Sequence, residues 1–245
     1  MRNTSFNIQA RSLLFVVLYY LMGIVHSIPC VLLAPFLNAD QRYRFVNLWT
    51  RGVMLLLRHL NHVRIEVRGR ENIPVGQPFV VMANHQSQWE TFYLQLLFAP
   101  QTTVLKKELM RVPFFGWSVA LLRPIAIDRR KPGEALKMIL REGGQCLAAG
   151  TNVVIYPEGT RQAPGTTGRF NAGGALLACR AGVPILPVAH NAGNCWPARS
   201  LLRRPGIIIL EIGPAISTQG RTPQAVNTDV ESWIKARVDI LAAQQ

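Results

Sequence analysis

The sequence predicts an α/β protein: a mixed, partly parallel sheet flanked by helices and preceded by an N-terminal membrane-associated helical motif. Three observations lead there. From Val63 on, short apolar runs of strand length alternate with stretches of helical spacing, the rhythm of a sheet with crossover helices. Before that, the stretch from Ser12 to Phe36 carries no Asp, Glu, Lys or Arg and is too apolar for the surface of a soluble helix. Finally, 245 residues of which 49% are hydrophobic suffice for one sizeable core plus an appended element. The chain therefore divides into membrane-seating helices over 1–62 and an α/β domain over 63–245.

In chain order, the first element is a helix across LLFVVLYYLMGIVHSI. Pro29 and Pro35 limit its uninterrupted part to Ser12 through Ile28, about 25 Å at ~1.5 Å per residue and slightly short of a ~30 Å hydrocarbon core. A tight single span, a re-entrant hairpin and a deeply seated interfacial helix all fit. A cleaved signal peptide fits less well, because the apolar run is long and no small-x-small site follows it cleanly. His26, beside the proline break, reads as a capping or water-lining residue.

A helix from Gln41 to His62 follows. Arg44, Arg51 and Arg58 recur every seven residues and share one face, opposite Val46, Val53, Leu56 and Leu57, as in a helix lying at a charged interface. Positive charge on this side of the apolar run favours the cytoplasmic side for what comes next. His59 and His62, one helical turn apart, lack a third metal ligand nearby and read as surface residues.

The strand candidates are Val63 to Val67, Phe79 to Met82, Thr103 to Lys106, Ile125 to Asp128, Asn152 to Tyr156, Ile185 to Ala189 and Ile207 to Ile212. Between most of them fall helical stretches: Trp89 to Phe98, Phe114 to Leu121, Gly133 to Ala149 and Ala172 to Ala181. A closing helix runs from Pro223 to Leu241, with Thr222 as its cap.

The charge balance of 27 Lys+Arg against 13 Asp+Glu, net +14, points to an anionic partner surface, either nucleic acid or acidic phospholipid. Cysteines 30, 146, 179 and 195 have neither zinc-finger nor CxxC spacing, so reduced thiols and no metal site are expected.

The stretch VVMANHQSQWE is the chemical centre of the sequence. His85 falls where an apolar strand opens to solvent, and Glu90 falls in the first turn of the helix that follows. A loop-to-helix junction lets this carboxylate fold back on the imidazole, giving a base held by an orienting acid. Other strand exits carry cations: Lys106 and Lys107, Arg129 and Arg130, and Arg161 in YPEGTR. Such a set suits a phosphate if parallel strands end on a common cleft.

These residues also carry a resemblance. NHQSQWE resembles the NHx4D block of the glycerolipid acyltransferases, AIDR at 126–129, YPEGTR and VPILPV at 183–188 resemble three further blocks, and order and spacing match too. KKELMRVPFFGW at 106–117 is most similar to the lysine-bearing segment of the bacterial 1-acylglycerol-3-phosphate branch. The resemblance covers residues 60–215. It implies that His85 is the general base for direct attack of a lysophosphatidate hydroxyl on an acyl thioester, with Glu90 in the place of the usual Asp. It further implies that Arg161 and Lys106 hold the phosphate, with Arg129, Glu158, Gly159 and Thr160 also binding substrate and with Glu158 and Gly159 shaping the turn. Arg123 stands where the third block commonly has glycine. No permanent cofactor is implied; acyl carrier protein or coenzyme A would deliver the acyl group. The implied partners are the bilayer, lysophosphatidate and the thioester carrier, at a bacterial inner membrane with the catalytic domain facing the cytoplasm.

Two rival classes carry less. Ser87 lies two residues from His85, but there is no GxSxG elbow, and a serine at that place is a helix cap before it is a hydrolase nucleophile. A nucleic-acid binder would show a groove-reading motif, and none of the usual patterns is present. Within the acyltransferase reading, another lysolipid, such as a lyso-ornithine lipid, or glycerol 3-phosphate is the alternative acceptor.

Overall fold

A computed structural model describes residues 2–244. Its sheet has seven strands: β1 (Val63–Arg68), β2 (Val80–Ala83), β3 (Gln101–Lys106), β4 (Ile125–Ile127), β5 (Asn152–Ile155), β6 (Ile185–His190) and β7 (Gly206–Ile212). The order across the sheet is β1-β7-β6-β2-β5-β3-β4. From β6 to β4 all neighbours run parallel, while β7 turns antiparallel to β6 and pairs parallel with β1. The parallel set β6, β2, β5, β3 and β4 therefore ends on one edge, which is where a ligand cleft belongs in an open α/β sheet.

The central strands are buried on both faces, which is why they read as unbroken apolar runs. Alternate residues feed two cores. Val80 and Met82 point to helices α5 (Pro132–Ala148), α6 (Gly173–Ala181) and α8 (Pro223–Ala243). Val81 and Ala83 point to the opposite core, shared by α1 (Arg2–Leu33), α2 (Ala39–Leu60) and α3 (Trp89–Leu97). A short α4 (Phe115–Ala120) and a one-turn α7 (Ala192–Cys195), which sequence reasoning did not anticipate, complete the set. Thr222 caps α8 as expected, its hydroxyl accepting the Ala225 N–H, and a capping box of Asn38 and Gln41 starts α2.

Helix α1 departs from expectation: it does not stop at Pro29 but continues to Leu33, and a proline-containing turn at Ala34–Phe36 ends it. Buried Ser27 and Cys30, on either side of Pro29, press this segment against the protein, so packing outweighs the hydrogen bond that proline removes. Residues 6–36 form a stretch long and apolar enough to cross a membrane, and most of it faces outward. The hairpin is anchored inward by Phe15, fully buried against Trp196. His26 bonds to the neighbouring helix, its Nε2–H donating to the Phe45 carbonyl at 3.0 Å. On α2, Arg44, Arg51 and Arg58 are exposed on one side with Leu48 and Leu55 interleaved, opposite buried Val46, Val53 and Leu57. His62 lies past the end of α2 in a left-handed conformation and so is not one helical turn from His59.

Candidate active site

The loop leaving β2 folds back on the first turn of α3, and Glu90 is the reason. Its Oε1 accepts the main-chain N–H groups of Gln86 at 2.9 Å and Ser87 at 2.7 Å, and lies 2.8 Å from Nδ1 of His85. One oxygen thus closes the loop and orients the ring. Burial on its own would raise the Glu90 pKa, but the His190 and His85 imidazoles and the Ser87 N–H outweigh it and hold the carboxyl below its ordinary value. With the carboxylate ionised, Nδ1 carries the proton and Nε2 keeps its lone pair; among the described residues no hydrogen bond reaches Nε2. The Tyr156 ring stacks on the imidazole with centroids 4.4 Å apart, fixing its plane from the side.

The turn after β5 grips the backbone of the same histidine. Glu158 Oε2 accepts the His85 N–H at 2.7 Å while its Oε1 accepts from Gly168 at 3.0 Å, and the Gln162 N–H donates to the His85 carbonyl at 2.7 Å. Gly159 has φ +69°, a left-handed conformation that lets the chain reverse here. Arg161 Nε donates to the Ser87 carbonyl at 2.9 Å, and among the described residues the outer nitrogens of its guanidinium have no hydrogen-bond partner. Arg129, from the end of β4, donates to the Gly159 carbonyl. Desolvation and the nearby Arg161 both lower the Arg129 pKa, outweighing the opposing pull of Glu108.

The structure therefore brings His85, Glu90, Glu158, Gly159, Arg161 and Arg129 into one cluster. Thr160 is exposed beside it, its carbonyl accepting from Gln162. Lys106 ends β3 on the same edge but pairs with Glu108, 3.5 Å away. Ser87 is fully buried and its hydroxyl accepts the Trp89 N–H, so it serves the helix start and not nucleophilic attack. Two open cavities of about 380 and 340 Å³, both bordered by Pro78, lie where β2 begins and have no His85-cluster residue in their walls.

An acyltransferase family model matches residues 64–191, more than half of the chain and all of the residues just described. The chain belongs to the acyltransferase family. This acyltransferase is 46% identical to a 1-acyl-sn-glycerol-3-phosphate acyltransferase of Pseudomonas aeruginosa, over 91% of the chain and 88% of that protein. It is 31% identical to 1-acyl-sn-glycerol-3-phosphate acyltransferase alpha of Mus musculus, over 72% of the chain and 63% of that protein. Its fold matches the crystal structure of the 1-acyl-sn-glycerophosphate acyltransferase from Thermotoga maritima, with a TM-score of 0.82, 23% identity, and coverage of 99% of this chain and 98% of the other.

Sequence reasoning missed one residue in the acyltransferase site. His190 ends β6 beneath Glu90, fully buried, with Nε2 4.0 Å from Glu90 Oε2. A signal was present: an apolar strand ending in Ala-His-Asn at 189–191 mirrors the strand ending in Ala-Asn-His at 83–85.

Proposed function

We propose that this acyltransferase moves a fatty acyl group from an acyl thioester to the free hydroxyl of lysophosphatidate, giving phosphatidate. The observation that carries the reading is the 2.8 Å contact between Glu90 and Nδ1 of His85, which leaves the lone pair of Nε2 as the one available to a substrate. The names of the Pseudomonas and mouse relatives support the acceptor.

In the reaction, Nε2 of His85 takes the proton of the acceptor hydroxyl as its oxygen attacks the thioester carbonyl. Glu90 stabilises the imidazolium that forms. The tetrahedral intermediate then expels the thiolate, which recovers the proton from Nε2, so the thiol leaves neutral and no acyl-enzyme forms. Arg161 and Arg129 neutralise the acceptor phosphate, and the main-chain N–H groups of Thr160 and Arg161, free of backbone hydrogen bonds among the described residues, supply further donors. Lys106 joins them if its pairing with Glu108 is exchanged for the phosphate. Glu158 and Gly159 hold the turn in shape.

No permanently bound cofactor takes part; acyl carrier protein or coenzyme A presents the thioester. Residues 1–62 seat the enzyme in the bilayer and 63–245 perform the chemistry, with the exposed arginine face of α2 at the anionic head groups of a bacterial inner membrane and the cleft on the cytoplasmic side. Purified enzyme given equimolar lysophosphatidate, lyso-ornithine lipid and glycerol 3-phosphate with one labelled thioester should label phosphatidate first. Preferential labelling of either other product would reassign the acceptor and leave the base in place.

A further inference from the structure

We propose that His190 is a positioning residue that acts through Glu90, its Nε2–H steering the second carboxylate oxygen so that the first stays on Nδ1 of His85. This rests on the reading of His85 as the base.

The division of labour within the Glu90 carboxylate motivates it. Oε1 takes all three donors, His85 Nδ1 and the N–H groups of Gln86 and Ser87, whereas Oε2 is fully buried and has no hydrogen-bond partner among the described residues. His190 Nε2, 4.0 Å away, faces that unpartnered oxygen. A glutamate carries one more side-chain torsion than the aspartate of the family block, so three donors on one oxygen do not by themselves set the plane of the carboxylate.

His190 is fixed in the protonation state this needs. Its Nδ1 accepts the Ala192 N–H at 3.3 Å, so the proton resides on Nε2, which donates to the Asn84 carbonyl at 2.9 Å and lies 4.0 Å from Glu90 Oε2. Burial keeps the ring neutral, opposing the pull of Glu90. At 4.0 Å the contact is a partial positive charge beside a carboxylate and not a formed hydrogen bond, and it is effective because both groups are wholly buried.

Two of the three bonds that tie residue 190 to Asn84 do not use its side chain. Asn84 joins β2 to β6 by accepting the His190 N–H at 3.0 Å and donating to the His190 carbonyl at 3.0 Å, and both bonds use the main chain of residue 190. Substituting the imidazole leaves them in place.

The test is a double-mutant cycle on the purified, lipid-reconstituted enzyme, with kcat and KM for both substrates. His190→Phe should lower kcat by about tenfold or more with little change in either KM, the range in which partners of ligating and catalytic groups act. His190→Gln, which keeps an N–H near the Nε2 position, should retain kcat within about threefold. In the Glu90→Asp background the shorter carboxylate no longer reaches His190, so His190→Phe should cost about threefold or less. Equal losses in both backgrounds, or His190→Gln as impaired as His190→Phe at matched folded fraction, would overturn the proposal. His85→Ala in parallel separates the levels. Surviving activity there removes the base and the positioning role with it; lost activity with independent effects at 190 and 90 removes only the positioning role.

Discussion

The main-chain N–H of His85 donates to Oε2 of Glu158 at 2.7 Å, joining residues 73 apart in sequence and two strand exits adjacent in the sheet. Glu158 is buried, and burial, opposed by the N–H groups of Gly168 and His85, pushes its carboxyl up to about 7. The folded protein therefore holds this proton more readily than an unfolded chain, whose glutamate titrates near 4.5. Stability from that proton is complete below the unfolded value and is lost as pH rises through the folded one. Thermal melts from pH 4 to pH 9 should show the wild type losing ground to Glu158→Gln between about pH 4.5 and 7. Parallel curves for the two proteins would refute this assignment.

Glu90→Gln retains an oxygen for the Gln86 and Ser87 N–H groups but removes the charge that balances an imidazolium. We expect kcat to fall by about 10²-fold or more with KM for either substrate nearly unchanged, because the lost interaction is made only as the proton moves. A rise in KM that accounts for the whole loss of kcat/KM would show that Glu90 serves binding instead.

Arg161 keeps one nitrogen on the Ser87 carbonyl, and its outer guanidinium nitrogens have no hydrogen bond among the described residues. Arg161→Ala should raise KM for lysophosphatidate by about 10- to 100-fold, the range of a charge-assisted phosphate contact, and leave KM for the thioester close to wild type. Equal effects on both substrates would remove the phosphate role.

The hairpin of α1 and α2 is held to the catalytic domain by Phe15, which meets the Trp196 ring edge at 5.2 Å while the Arg203 guanidinium lies 5.3 Å from its own centroid. Nearby, the Ser12 hydroxyl accepts the Arg203 N–H at 2.8 Å. Phe15→Ala should cost about 3–5 kcal/mol and lower Tm in detergent, since it opens a cavity at a fully buried position. An unchanged Tm would mean that the hairpin is not part of the cooperative unit.

The strands were legible because β2, β5 and β6 are buried on both faces and so spell continuous apolar runs, while Thr222 marks the start of α8 by its cap. The fold-back of Glu90 was legible for a similar local reason: five residues across a loop-to-helix junction leave the chain little else to do. Contacts set by tertiary pairing were not. Nothing near His190 in sequence reveals that β6 lies beside β2, so its place under Glu90 emerges only from the sheet order. The grip of Glu158 on the His85 N–H is hidden in the same way, inside a tetrapeptide that also reads as an ordinary turn. At Pro29 a local rule failed because packing of Ser27 and Cys30 overrode it.

The most direct test of the account is transfer of a labelled acyl group from thioester to lysophosphatidate in membranes carrying either the wild-type chain or His85→Ala at equal abundance. The account predicts labelled phosphatidate from the wild type and a loss of about 10²–10⁴-fold in the variant. Wild-type activity in His85→Ala would contradict it.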